Sequence, residues 1–175
     1  IDSGQALKLT KTIPGIGAIK LGLEYFCFNG PEGIKLISKT GAKIFLDLKF
    51  HDIPNTVAGA IKAILHLQPF MITVHLSGGY DMLIRANEIV TEYCIKNSIK
   101  KPIILGVSVL TSLDEKDFIS LGIKGKVQEQ VIRLAKLAKN TGLDGLVSSA
   151  KELKIIRKEI GQNLLLVTPG IRPTG

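Results

Sequence analysis

Tryptophan is absent, and the six phenylalanines and three tyrosines do not interleave with a basic stripe. The chain therefore offers no obvious platform on which nucleic-acid bases would stack. The only cysteines, Cys27 and Cys94, stand far apart with no CxxC or histidine spacing. That argues against a disulfide framework or a metal-binding module and points to a reducing compartment. Long apolar runs are missing too: stretches such as Pro102-Ile103-Ile104-Leu105-Gly106-Val107 are far too short to cross a bilayer. Neither GxGxxG nor GxxxxGK[ST] occurs, so the usual glycine-rich phosphate loops are lacking. No signal peptide is visible, although the sequence begins abruptly at Ile1-Asp2. The expectation is a cytoplasmic protein with no membrane partner.

What is present suits one compact domain spanning residues 1–175. Hydrophobic residues make up 45% of the chain, and the 18 glycines are dispersed as a fold with many short turns requires. The net charge of +8 invites a nucleic-acid partner. The lysines, however, lie on predicted helix faces such as Lys136-Leu137-Ala138-Lys139, where solvation explains them. The charge favours an anionic, phosphorylated small molecule over a nucleic acid.

Six short β-branched runs alternate with helical patterns: residues 18–22, 43–49, 71–75, 103–110, 145–148 and 164–168. Between them Leu7, Ile34, Ile61 and Leu83 seed helices. In Val127–Thr141 a stripe of Val131, Leu134, Ala135 and Ala138 precedes Gly142 at the C′ position. This alternation means an α/β protein with a parallel sheet. Periodicity alone leaves a closed barrel and an open doubly wound sheet in play. Polar residues cluster where strands end: Lys20, Asp47 and Lys49, His75, Thr111, Ser148, Thr168. Convergence from several strands, without a glycine-rich loop, favours a (β/α)8 barrel of the TIM type. Such barrels need roughly 200–250 residues. The expectation is accordingly an incomplete barrel: a first strand reduced to Ile1-Asp2, strands two to seven, and no eighth.

The chemistry concentrates in Asp47-Leu48-Lys49-Phe50-His51-Asp52-Ile53-Pro54-Asn55-Thr56. Strand alternation would aim Asp47 and Lys49 to the same side, into a barrel. Asp52 lies past the strand end, Pro54 allows a turn, and Asn55 or Thr56 could cap the next helix. Carboxylate, ammonium and carboxylate in one short reach hold each other charged. A lone Asp-x-Lys would more often be a buried ion pair bracing the rim, and such a pair contributes little to stability.

That ten-residue segment resembles the D-x-K-x-x-D-I-x-x-T signature of the orotidine 5′-monophosphate decarboxylases, in its bacterial form. Residues 19–24, 73–75, 109–112, 144–150 and 167–173 are similar to the family's second, fourth, fifth, sixth and seventh strand regions. The resemblance implies a cofactor-free and metal-free conversion of orotidine 5′-monophosphate to uridine 5′-monophosphate and CO2, in pyrimidine biosynthesis. It implies Lys49, Asp47 and Asp52 as catalytic residues, with Asp52 supplied by the other subunit of a homodimer. Asp2 and Lys20, with the partner's Thr56, would bind ribose; Thr111 would meet the pyrimidine and Arg172 the phosphate. Ile53 and Pro169 complete the implied substrate contacts. Arg172 also follows Pro169-Gly170 in the loop after the seventh strand, where barrels often bind phosphate. For His75 a hydrogen-bonded rim histidine is about as good a reading as a catalytic one. The sequence departs from the family in its short first loop, Ser3-Gly4-Gln5, and in lacking the eighth strand's phosphate-binding Gly-Arg.

Two rivals remain. One is a related Mg²⁺-dependent decarboxylase or aldolase acting on a sugar phosphate, which needs an acidic ligand after the second strand; Glu24 is the only acid nearby. The other is a non-catalytic barrel that binds nucleic acid through its positive charge.

Overall fold

A computed structural model describes residues 2–13 and 15–172. Six strands, β1 (Ile19–Gly22), β2 (Ile44–Phe50), β3 (Met71–His75), β4 (Ile103–Val107), β5 (Gly145–Val147) and β6 (Leu165–Val167), form one sheet. Every pairing is parallel. The spatial order follows the chain order from β1 to β6. A doubly wound sheet reverses its order at a switch point. Sequential order with right-handed crossovers instead puts all the helices on one face and curls the sheet around the other. The result is an incomplete TIM-type barrel, open between β1 and β6.

Among the described residues seven α-helices accompany the sheet: α1 (Ser3–Lys11), α2 (Leu23–Ser38), α3 (Pro54–Ile64), α4 (Tyr80–Asn97), α5 (Glu115–Ser120), α6 (Val127–Asn140) and α7 (Leu153–Ile160). Alternation along each strand sorts the residues between the two faces. Leu46, Ile72, Val74, Ile104 and Leu146 pack outward against Ile34, Ile37, Ile61, Leu83, Val131 and Leu134. Each such buried side chain contributes about 1.5–3 kcal/mol. Phe45, Asp47, Val107, Val147 and Val167 face the concave side and line a cavity there. Gly145 permits the close approach of β5 to β6, because a β-carbon there would collide with the Leu165 carbonyl.

The six expected strands are all present: β3 keeps its bounds, β2 is shifted by one residue, and the largest change is in β4, which leaves the sheet after Val107 instead of at Leu110. The helix read over 127–141 runs Val127–Asn140, its four-residue stripe is buried, and Gly142 takes φ +68°. Three expectations are corrected. Ser3-Gly4-Gln5 is not a loop but the first turn of α1, which Asp2 N-caps by accepting a hydrogen bond from the Gln5 N–H at 2.8 Å. Asp2 belongs to no strand among the described residues, and Ile1 lies outside them. Neither Asn55 nor Thr56 caps α3: Ile53 is the N-cap residue, without a side-chain cap, and Pro54 starts the helix, where its missing N–H costs nothing. Pro173, in the segment compared with the seventh strand region, also lies outside the described residues.

Candidate active site

The site begins with an irregularity in β2. Leu46 is level with Ile72 of β3, but Phe50 is level with Val74, so β2 spends two more residues than its partner over this interval. The surplus is taken up around Lys49, whose φ is +50°. A non-glycine residue in that left-handed region costs about 1–2 kcal/mol. Simple alternation therefore does not explain why Asp47 and Lys49 act together. A bulge re-aims Lys49, as bulges beside active sites do.

The result is a compact charged node. The Lys49 Nζ donates to Asp47 Oδ2 at 2.9 Å, and Lys20 Nζ, from β1, donates to the same oxygen at 3.1 Å. The other oxygen, Oδ1, accepts from the Thr73 hydroxyl at 2.9 Å. Thr73 Oγ1 in turn accepts from the Lys49 backbone N–H at 2.8 Å. Burial works against the charge on Asp47, but hydrogen bonds from Lys49 and Lys20, with their charges, outweigh it. Its carboxyl is held below the ordinary value and is ionised at neutral pH.

Two cavities flank this node, and Lys20, Asp47 and Lys49 line both. One, of about 460 Å³, is bounded by α1, β1 and the start of α2, including Leu9, Ile16 and Tyr25. The other, of about 570 Å³, runs across the concave face to Thr111, Ser148, Pro169 and Arg172. Six of the expected site residues, Lys20, Asp47, Lys49, Thr111, Pro169 and Arg172, thus line one cavity. Ser148 is buried there at 1% exposure, and its hydroxyl has no hydrogen-bond partner among the described residues. Asp2 lines neither cavity, although its charge reaches Tyr25 in the first.

Asp52, Ile53 and Thr56 are held apart. All three are exposed, Ile53 at 67%, and none lines either cavity. Asp52 accepts a hydrogen bond from the Ile53 N–H at 2.7 Å and forms no ion pair among the described residues. His75, at the end of β3, stacks on His51 with ring centroids 5.1 Å apart, and its Nδ1 lies 2.8 Å from the Ser77 hydroxyl. Burial first, then the charges of His51 and Lys49, push the His75 pKa down. Among the described residues no three His, Cys, Asp or Glu side chains gather as metal ligands would. Nor is any helix long and apolar enough to cross a membrane.

Thr73 is the residue that sequence reasoning missed. It stood in the segment 73–75 compared with the family's fourth strand region, but no role was read for it: a hydroxyl in the apolar run Met71-Ile72-Thr73-Val74 suits any strand.

Charged side chains at the C-terminal rim of a parallel, barrel-type sheet define an enzyme of the TIM-barrel class. Residues 2–175 match the model of the orotidine 5′-phosphate decarboxylase / HUMPS family, and the chain belongs to that family. It is 48% identical over 159 residues to the orotidine 5′-phosphate decarboxylase of Rhodospirillum rubrum, covering 90% of this chain and 64% of that protein. Identity to the orotidine 5′-phosphate decarboxylase of Pseudoalteromonas translucida is 45% over 175 residues, 99% of this chain and 73% of the relative. The chain thus spans about two thirds to three quarters of the length of these relatives. Among solved structures, the orotidine 5′-phosphate decarboxylase of Lactobacillus acidophilus superposes with a TM-score of 0.84 at 38% identity, over 95% of this chain and 76% of that one. A conserved protein of Geobacillus kaustophilus, described as uncharacterized, gives 0.88 at 33% identity, over 96% and 79%.

Proposed function

We propose that the protein to which this chain belongs is an orotidine 5′-phosphate decarboxylase of pyrimidine biosynthesis, built on a single barrel domain. The observation that carries this reading is the Lys20–Asp47–Lys49 node, which places a lysine ammonium 2.9 Å from a buried carboxylate at the mouth of a cavity that Arg172 also lines.

Loss of CO2 from orotidine 5′-monophosphate leaves an electron pair in the plane of the pyrimidine ring, where the ring's π system cannot absorb it. A preorganised cation beside the reacting carbon stabilises such charge without rearranging at the moment of reaction. Lys49 is that cation in this reading. As the bond to the carboxylate carbon breaks, the pair stays on the ring, and a proton passes from Lys49 Nζ to the reacting carbon. Solvent then reprotonates the lysine. Asp47 faces the substrate carboxylate: two unit charges 4 Å apart at an effective dielectric of 20 repel by about 4 kcal/mol. Relief of that repulsion would be worth roughly 10³ in rate. Electrostatic preorganisation by the same residues describes the effect equally well.

The remaining assignments follow the family signature. Thr111 meets the pyrimidine, with the buried Ser148 hydroxyl on the same wall, and Pro169 and Arg172 receive the phosphate end. Lys20 and Asp2 hold the ribose. Asp52, Ile53 and Thr56 serve the site of a second subunit, which agrees with their exposure and with the lack of an ion pair to Asp52 among the described residues. The enzyme is then a cytoplasmic homodimer. The test is loss of orotidine 5′-monophosphate, followed spectrophotometrically, with the full-length protein before and after EDTA. Turnover that survives EDTA supports the reading. Turnover abolished by EDTA and restored by Mg²⁺ favours a metal-dependent relative, and no turnover overturns the proposal.

A further inference from the structure

We propose that Thr73 is a positioning residue for Lys49: its hydroxyl replaces the hydrogen bond that the β2 bulge removes, and so holds the lysine in its left-handed conformation. The proposal rests on Lys49 being the reacting cation of the decarboxylase described above. In a regular parallel ladder each backbone N–H of β2 would find a carbonyl on its neighbour. Between Leu46 and Phe50 the register with β3 slips, and the Lys49 N–H donates instead to a side chain, Thr73 Oγ1, at 2.8 Å. That oxygen has one proton of its own, and it is given to Asp47 Oδ1 at 2.9 Å. One hydroxyl thus ties the backbone of Lys49 to the carboxylate that its ammonium grips from the other side at 2.9 Å. The loop of contacts is closed: Lys49 backbone, Thr73, Asp47, Lys49 side chain.

Only a short side chain with both a donor and an acceptor can serve at this point. Thr73 has 0% exposure, so water does not compete for these bonds. Valine has nearly the same shape and would leave both the Lys49 N–H and Asp47 Oδ1 short of a partner. Lys49 would then be free to relax toward an ordinary extended conformation, which moves its ammonium away from the reacting carbon. A displacement of about 1 Å in a catalytic group is enough to cost on the order of 10² in rate.

The test is a series at position 73 in the full-length enzyme. Thr73→Val is expected to lower kcat by about 10²-fold with KM for orotidine 5′-monophosphate changed less than about threefold. Thr73→Ser, which keeps the hydroxyl, is expected to retain kcat within about threefold. Thr73→Cys, with a weak thiol donor and acceptor, should fall between them. If the valine variant does not fold, serine against cysteine decides. A parental kcat in Thr73→Val or Thr73→Cys overturns the proposal, and so does a loss that lies in KM alone. Hydrogen exchange at the Lys49 amide is the readout that does not depend on the reaction. Protection in the parent and in Thr73→Ser, with exchange at least about tenfold faster in Thr73→Val or, if that does not fold, in Thr73→Cys, supports the tether; unchanged protection in the variant overturns it. A parent that does not decarboxylate orotidine 5′-monophosphate defeats the functional reading, whereas an active parent with an insensitive Thr73→Val defeats only the role of Thr73.

Discussion

The two halves of one short segment, Asp47 to Lys49 and Asp52 to Thr56, live in opposite environments. In the first half Asp47 is 7% exposed, and its carboxylate receives hydrogen bonds from Lys20, Lys49 and Thr73. In the second, Asp52 and Ile53 are exposed, and among the described residues the only hydrogen bond to the Asp52 side chain comes from the next residue's backbone. The difference is instructive because the same ten residues carry both. A buried carboxylate without donors would be costly, so the chain surrounds Asp47 itself. An exposed carboxylate has no such requirement, and Asp52 is left available to something outside its own chain.

If the first half does the chemistry, its loss should be the most damaging change available. Lys49→Ala is expected to reduce kcat by more than about 10³-fold while leaving uridine 5′-monophosphate binding largely intact, since the lysine acts on charge that develops during reaction. Steady-state kinetics and calorimetry with the product measure both. A near-normal kcat would erase the distinction between the halves.

The second half is sharpened by complementation. Lys49→Ala and Asp52→Ala full-length proteins, each inactive, should regain about a quarter of wild-type activity when mixed and allowed to exchange subunits. About half the dimers are then mixed, and each has one intact site of two. No recovery, with exchange confirmed by mass spectrometry, would return Asp52 to its own chain's site.

A smaller effect is expected at Ser148, on the far wall of the second cavity. Its hydroxyl has no hydrogen-bond partner among the described residues, so Ser148→Ala should leave Tm unchanged or slightly raised. Losing a neutral hydrogen bond to substrate would raise KM by roughly 3–10-fold. A fall of several degrees in Tm with unchanged KM would mark Ser148 as a packing residue instead.

The least effect concerns acid stability. His75 has its pKa pushed below the ordinary 6.5, so the unfolded chain binds more protons at mildly acid pH. Stability that is complete above pH 6.5 is therefore lost as pH falls toward the folded value. Asp47 adds the same sign of effect only below its ordinary value of 3.8. Thermal melts from pH 7 to 5 should show a decline that His75→Gln flattens and Asp47→Asn does not. A decline of equal size in His75→Gln would assign it to other groups.

Much of this was legible before any coordinates. The alternation of β-branched runs with helical stripes is a local property of burial, and all six strands lie where it placed them. The polar strand ends pointed to one rim, and Lys20, Asp47, Lys49, Thr111, Pro169 and Arg172 do line one cavity. Helices α5 and α7 were not foreseen: at 6 and 8 residues they are too short for periodicity to declare itself. Ser3-Gly4-Gln5 misled for a related reason, because a first helical turn defined by its cap contains nothing apolar to count.

By itself, then, the sequence determined the α/β architecture, the rim on which chemistry gathers and the family to which the chain belongs, because each is written in local pattern or in a contiguous signature. Only the tertiary structure decided how Asp47 and Lys49 come together. The i, i+2 spacing suggested plain alternation, but the chain bulges, Lys49 turns left-handed, and a threonine 24 residues away holds its backbone. A register slip is a relation between two strands, and no property of either strand alone encodes it.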